Sequence, residues 1–523
     1  MGAIGLDFGT TNTVVTYEDK NGKLRPYKVN GSPLIPSVIY FKSRADYLIG
    51  QRALTKSKQN FAGAVSGFKT RLNEDNAPYE VTAEDGAKFK IVPKVAVKYF
   101  LNKLLGEVQE YLLKRKLSDA TIDRAVITVP TKFNDKANQA IKTAAASAMG
   151  LNFGQVKLVY EPTAAAVAAQ KDDGNNDTRL LIYDFGGGTF DVSLIQKDGG
   201  IFKQIKTDGD PKCGGNLLTN ILAKNLLDWA NDEFGTNFPY ELEDFDEDFN
   251  GISELHYKEN IAAIIREADT AKIELSDNDE HTVTFPFWIS DSASENYVVD
   301  VSRSDFEKMI RDKINHTAEI TRRVVDSDEA KAIGGIDKII IAGGSGKIPM
   351  ICDVLKSKLG NLAINRSDDV STLISRGAAI LANYPSNDEP KQKTTLQLGI
   401  SSTVGMSYGV FQTIIEEGRD LPCENSCDFR LMADNQRRLK ISYYERDIKN
   451  YPDAVRIDDE GITQVDELEV ELPPDLKKAD TVVKITFVVQ KDLSLELSAK
   501  VLNNDGQTVG EEKIKVNRVS DLF

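Results

Sequence analysis

A repeat constrains the fold most. Residues 3–17 read AIGLDFGTTNTVVTY and residues 180–195 read LLIYDFGGGTFDVSLI, so an apolar run stops twice at an Asp-Phe-Gly hinge and then resumes as apolar chain. Asp184 follows Asp7 by 177 positions. A strand, a turn rich in Gly and Thr, and a second strand make a hairpin whose turn exposes backbone N–H groups and hydroxyls. Glycine lets such a turn approach phosphate oxygens closely. The donors in the first copy are Gly9, Thr10 and Thr11, and in the second Gly186, Gly187, Gly188 and Thr189. One such hairpin is an ordinary β-turn. Two of them, one in each half of a duplicated domain, predict a clamp that grips a polyphosphate from both sides of a cleft. Asp7 and Asp184 would repel those phosphates unless a cation lay between, and hard oxygen ligands beside phosphate predict Mg²⁺ that keeps several of its waters.

Two other phosphate motifs fail. Asp-Phe-Gly also occurs in protein kinases, yet neither a His-Arg-Asp loop nor a Val-Ala-Ile-Lys strand accompanies it. GGSGK at 343–347 resembles part of a P-loop, but Ile348 stands where Ser or Thr would hold the metal.

The chain has 523 residues, enough for about three or four structural units. Its net charge of −15 disfavours nucleic acid and anionic lipid as partners. No run approaches the roughly eighteen apolar residues of a membrane span, so no membrane partner is expected. Residues 1–8 enter a strand pattern at once without a basic leader, which makes the cytoplasm the expected location. Four cysteines are too few for a disulfide framework, and Cys423 with Cys427 lacks the further ligands of a metal site.

Two regimes follow one another along the chain. Up to about residue 385, short β-rich runs alternate with helical patterns such as 95–117 and 135–149, the latter opened by Asn134 or Asp135 and closed at Gly150. Beyond it, RLKISYYE, ELEVELP, TVVKITFVVQ and LSLELSAKV alternate apolar and polar residues with period two, which predicts an all-β sandwich. Between them YPSNDEPKQKTTLQ is polar, holds two prolines and has no periodicity, and reads as a linker. The expected division is 1–384, 385–397 and 398–523.

GLDFGTTNT, AVITVPTKFND, LVYEPTAAAVAA, LIYDFGGGTFDVSLI, AKIELS and IIIAGGSGKIP stand in the order and approximate spacing of the DnaK-type, seventy-kilodalton heat-shock chaperone family. The chain resembles that family from end to end. The resemblance implies an actin-like, ribonuclease H-like duplicated α/β ATPase domain followed by a β-sandwich that binds peptides. It implies Gly9, Thr10, Thr11, Asn12 and 186–189 as phosphate hairpins, with Thr189 among the catalytic groups. Asp7, Glu161 and Asp184 are implied as the carboxylates around hydrated Mg²⁺, Asp191 near the associated cations, and K⁺ as a further candidate cation. Lys69 resembles the lysine that positions the attacking water, and Gly214 with Gly215 a third glycine pair near the nucleotide. Asp269, Lys272 and Ser276, spaced three and four apart and therefore on one helix face, are implied for ribose and base. Gly343, Gly344, Ser345 and Lys347 would close the other side. Met406, Met432, Leu439 and Ile441 are similar to the residues lining the family's apolar peptide pocket, although each also suits a plain sandwich core.

The implied function is that of an ATP-dependent chaperone: it binds short apolar segments of unfolded polypeptides and uses slow hydrolysis of ATP to ADP as a switch. A J-domain protein and a nucleotide-exchange factor are the implied partners. The alternative is an atypical member acting as scaffold or exchange co-chaperone. Several positions depart from the family: Asn138 replaces a typical interdomain Arg, Lys157 and Tyr160 stand where J-domain docking residues are found, and TTLQL is more polar than the usual linker. VSDLF ends the sequence where a helical lid normally follows, so fast peptide exchange is expected even with ADP bound.

Overall fold

The structure, a computed structural model, describes residues 2–57, 60–72, 77–115, 121–170, 177–246, 251–360, 362–366, 370–383, 390–404, 407–491 and 493–515. Its first part is built twice. In one lobe strand Gly2–Phe8 turns into the antiparallel Asn12–Glu18, which pairs with Leu24–Pro26; on its other side it pairs parallel with Ile122–Val129, followed by Val156–Tyr160. In the other lobe Thr178–Phe185 turns into Phe190–Asp198 and Ile201–Asp210, and on its other side pairs parallel with Lys338–Ala342, followed by Ala363–Arg366. The strand orders correspond one to one. Six consecutive residues, Leu180 to Phe185, are buried, as a strand covered on both faces requires.

Small residues bring the lobes together. Helix Glu161–Gln170 (EPTAAAVAAQ) is buried almost all round, the mark of an internal helix. It crosses helix Leu373–Asn383 so closely that a Cβ on Gly377 would lie 2.5 Å from the Ala164 carbonyl carbon. On Gly5 a Cβ would lie 2.5 Å from the Ser375 oxygen, so the second helix also seats directly on the first lobe's central strand. These contacts place the C-terminal ends of both central strands, and hence Asp7 and Asp184, at one cleft.

The second part packs two antiparallel four-stranded sheets. One runs Ser407–Ile415, Gln397–Val404, Arg438–Arg446, Ile462–Glu471; the other runs Cys423–Phe429, Val482–Val489, Leu495–Leu502, Thr508–Lys515. Burial alternates along Leu495–Leu502, with Leu495, Leu497, Ala499 and Val501 inward, which is the period of a pleated strand with one face in the core. Cys423 and Cys427 are both free and share one strand, where a spacing of four puts them about 13 Å apart, too far to bridge.

The described end of the joining stretch, 390–397, is held rather than solvated. Lys391 N–H donates to the Phe202 carbonyl (2.7 Å) and its carbonyl accepts from Gln204 N–H (2.9 Å). Gln392, Thr394, Thr395 and Gln397 are buried. Gln392 Oε1 accepts from Tyr160 N–H at 2.8 Å while its amide donates to the Lys491 carbonyl. Polar composition conceals this packing because each side chain finds a polar partner in the seam.

Candidate functional site

Strand register builds the site. Asp7 is the penultimate residue of Gly2–Phe8 and Asp184 the penultimate residue of Thr178–Phe185, so the duplicated sheets deliver two carboxylates and two turns in equivalent places. Glu161 opens its helix directly after strand Val156–Tyr160, and Lys69 comes from the short helix Phe68–Arg71.

The turns face each other at close range. A Cβ on Gly188 would lie 3.0 Å from Thr10 Oγ1 and 3.1 Å from Thr70 Oγ1, and one on Gly187 would overlap Thr11 Oγ1. A Cβ on Gly214 would come within 2.6 Å of the carbonyl oxygens of both Gly187 and Gly188. At Gly187 and Gly214 space alone calls for glycine, and at Gly188 a side chain would have to push two hydroxyls aside. Backbone bonds lock the second turn: Gly215 N–H donates to the Gly186 carbonyl (2.9 Å) and Asn216 N–H to the Gly187 carbonyl (2.7 Å). Thr10 and Thr70 share a hydroxyl hydrogen bond of 3.1 Å.

One cleft is lined by Asp7, Gly9, Thr10, Thr11, Asn12, Lys69, Glu161, Asp184, 186–189, Asp269, Lys272, Ser276, Gly343, Gly344, Ser345 and Lys347. Of the nucleotide-site residues expected from sequence, Gly214, Gly215 and Asp191 stand behind this surface. Gly215 backs onto Ser345 and Lys272. Asp191 is buried and accepts from Thr131 Oγ1 (2.7 Å) and Thr189 Oγ1 (3.1 Å). Lys272 Nζ reaches Asp269 Oδ1 (2.6 Å), Thr219 Oγ1 (2.7 Å) and the Gly215 carbonyl (3.2 Å), so this helix face is tied to the third glycine pair. Ser345 Oγ donates to the Gly186 carbonyl at 2.9 Å.

Sequence reasoning missed several residues. Ile273 also lines the cleft and is 56% exposed; lying between the apolar Ala271 and Leu275, it carried no signal of its own in the sequence. Pro130 lines it too. Thr70, bonded to Thr10, and Thr131, joined to Thr189 through Asp191, gave no signal, because a lone Thr in a short helix or turn is commonplace.

Electrostatics set the chemistry. Lys69 is 3% exposed, and its Nζ lies 2.7 Å from Glu161 Oε1. Burial raises the Asp7 carboxyl above the usual range, opposed by Lys69 and by a hydrogen bond from Thr128. Glu161 is raised by burial, opposed by Lys69 and reinforced by Asp7. Asp184 is raised furthest of these, by burial and then by the charges of Glu161, Asp191 and Asp7, with only Lys69 opposing. Asp191 is raised by burial, with the Thr131 hydrogen bond opposing. Asp7, Glu161 and Asp184 share one ammonium, that of Lys69, so their charged forms call for a further cation. Among the described residues, no group of three or more His, Cys, Asp and Glu side chains converges to ligate a metal directly.

The residues expected to bind peptide are not gathered in the same way. Ile441 belongs to the sandwich core, Leu439 packs against it, and Met432 stands 68% exposed in the loop 430–437. Met406 lies outside the described residues. Asn138 and Tyr160 line a small cavity in the seam between the two parts, together with Thr395 and Glu445. Among the described residues no helix is long and apolar enough to cross a membrane.

A family profile described as "Hsp70 protein" matches residues 3–522. The sequence is similar to "Chaperone protein DnaK" of Thermosipho melanesiensis (strain DSM 12029 / CIP 104789 / BI429), with 28% identity over 513 residues covering 95% of this chain and 78% of that relative. The lobes are the actin-like ATPase and the last part is the β-sandwich that the family combines. No observation favours the scaffold or exchange-factor alternative. The chain belongs to the Hsp70 family and is an ATP-dependent chaperone with ATPase activity.

Proposed function

We propose that the cleft between the lobes takes ATP with Mg²⁺, that K⁺ is a further cation there, and that the residues lining it divide the work of hydrolysis. The observation that carries this is the contact of the two turns, Gly187 against Thr11 and Gly188 against Thr10, in the cleft that Asp7, Glu161 and Asp184 also line. Phosphoryl transfer to water asks for positioning and charge neutralisation and little covalent chemistry. Backbone N–H groups of 9–11 and 186–189 hold the phosphates. Asp7, Glu161 and Asp184 hold the hydrated Mg²⁺, which supplies charge neutralisation when bound, and Asp191 serves the associated cations. Lys69, fixed by Glu161, orients the attacking water, and the Thr189 hydroxyl, oriented by Asp191, faces the transferring phosphate. Asp269, Lys272 and Ser276 bond ribose and base across from Gly343, Gly344, Ser345 and Lys347.

In this reading residues 1–384 are the nucleotide-binding part, 385–397 the linker and 398–523 the part that captures unfolded or extended peptides in the cytoplasm. A J-domain protein and an exchange factor serve the cycle. Met406, Met432, Leu439 and Ile441 line the peptide pocket. Burying one leucine contributes about 1.5–3 kcal/mol, and a millimolar complex needs about 4 kcal/mol, so peptide backbone hydrogen bonds must add to it. The test is single-turnover hydrolysis with and without an unfolded apolar peptide. Stimulation is expected; an unchanged rate with a peptide shown to bind would remove the switch.

A further inference from the structure

Behind the first phosphate turn stands Ser37. It joins the short strand Ile35–Pro36, which pairs with Asn12 and Thr13, to the strand Val38–Phe41. It is 1% exposed and does not line the cleft. Its Oγ donates to the Gly9 carbonyl at 2.8 Å, and its backbone N–H donates to the Thr11 carbonyl at 2.8 Å. Thr13 Oγ1, on a fully buried residue, lies 3.0 Å from Ser37 Oγ. A serine hydroxyl has one proton to give. With that proton on Gly9, Thr13 is the donor to Ser37, and a chain of two hydroxyls ends on the carbonyl of the turn's glycine. From these contacts we propose that Ser37 is a positioning residue for ATP: it aims the backbone of the first turn at the phosphates by holding its carbonyls from behind. The inference rests on the nucleotide-site reading above.

The physical route is the peptide plane. In a trans peptide the carbonyl and the next N–H point in opposite directions. The Gly9 carbonyl, held at Ser37, therefore turns the Thr10 N–H away from Ser37, to the side on which Thr10 lines the cleft. The Thr11 carbonyl, held by the Ser37 N–H, fixes the far end of the same turn. The repeat supplies a second instance. Gly186 has in Asp184-Phe185-Gly186 the place that Gly9 has in Asp7-Phe8-Gly9, and its carbonyl also accepts from a serine hydroxyl, that of Ser345, at 2.9 Å. The two serines come from unlike elements: one precedes Val38–Phe41, the other sits in the 3₁₀ turn Gly344–Lys347 after strand Lys338–Ala342. The same tie on the same peptide, built twice from different parts of the chain, marks the direction of that peptide as what the site requires.

The test uses the full chain as wild type, Ser37→Ala, Ser37→Cys and Thr13→Val, each titrated calorimetrically with ATP and Mg²⁺ and, separately, with adenosine. In Ser37→Ala the affinity for ATP is expected to fall about tenfold, as for loss of one well-aimed hydrogen bond to a charged group, while affinity for adenosine, which carries no phosphate, stays within about twofold. Ser37→Cys fills the space with a weak donor and should show the same split. Thr13→Val leaves the bond from Ser37 to Gly9 in place and should cost ATP affinity no more than about threefold. A further readout needs no nucleotide. Hydrogen exchange of the residue 37 amide, which donates to the Thr11 carbonyl, should speed up several-fold in Ser37→Ala, with the amides of strand Ile122–Val129 unchanged. Equal losses for ATP and adenosine, unchanged ATP affinity in Ser37→Ala, or a Thr13→Val loss as large as that of Ser37→Ala would each overturn the proposal. A wild-type chain that takes up no ATP would instead remove the site reading, and the exchange data would still decide whether Ser37 holds the turn.

Discussion

The nucleotide cleft and the β-sandwich use burial for opposite ends. In the cleft, Glu161 and Asp184 are buried and Asp7 partly buried around Lys69, an environment that opposes the charge of their carboxyl groups. In the sandwich, burial of Ile441, Leu468, Ile485 and Leu497 builds an apolar core. Strained electrostatics mark the first region as a place for ligands. The second shows ordinary stability chemistry, and in the proposed reading its peptide capture depends on apolar groups left outside the core. The difference teaches that polar burial announces a site, whereas an apolar site looks like the core beside it.

Substitutions can break this contrast. Lys69→Ala should slow single-turnover ATP hydrolysis by about 10²–10³, the range seen when one transition-state donor is removed, while ATP affinity measured by calorimetry stays near wild type. A hydrolysis rate within a few-fold of wild type would make Lys69 a structural partner of Glu161 and nothing more. Gly214→Ala sets a Cβ within 2.6 Å of two backbone carbonyls that cannot swing aside. ATP affinity should fall about 100-fold, or roughly 2.7 kcal/mol. Unchanged affinity would show that the turns are looser than their contact implies.

Protons sharpen the contrast next. Because the carboxyls of Asp7, Glu161 and Asp184 are all raised, each proton they hold must leave when a cation arrives. Affinity for ADP with Mg²⁺ should therefore weaken as pH falls into their raised range, by at most about tenfold per unit for each proton released. Calorimetry in buffers of different ionisation enthalpy counts those protons. Zero release at every pH would mean that the carboxylates are already charged without the ion. In the sandwich the effects are smaller and split. Ile441→Val should cost about 0.5–1.5 kcal/mol of stability in a urea titration. Met432→Ala should change stability by less than about 0.5 kcal/mol yet weaken capture of a labelled apolar peptide. A Met432 variant that binds peptide normally would take that residue out of the pocket.

Sequence legibility follows the same divide. Asp7, Asp184 and the two turns were readable because a phosphate site forces glycine, threonine and carboxylate into fixed places at strand ends, and a duplicated domain prints that pattern twice. Lys69 and Glu161 were readable only through the resemblance, since a lysine in FKTR and a glutamate opening a helix are commonplace alone. Thr131 was invisible, because what singles it out is a hydrogen bond to Asp191 across 60 positions. The held linker was missed for a related reason: Gln392, Thr394 and Thr395 are polar, and only the seam shows that Tyr160, Lys491, Glu416 and Thr131 satisfy them. Strand alternation in 438–502 was legible for the sandwich. It could not separate Leu439 and Ile441 as peptide contacts from Leu439 and Ile441 as core.

The central claim is that two mirrored turns close over one polyphosphate and a divalent ion. Its most direct measurement is calorimetric titration of the full chain with ATP, once with Mg²⁺ and once with a chelator. Uptake of one nucleotide per chain, weakened at least about tenfold when the ion neutralising the carboxylates is withdrawn, is the predicted result. No uptake with Mg²⁺ present, or equal affinity with and without it, would contradict the account.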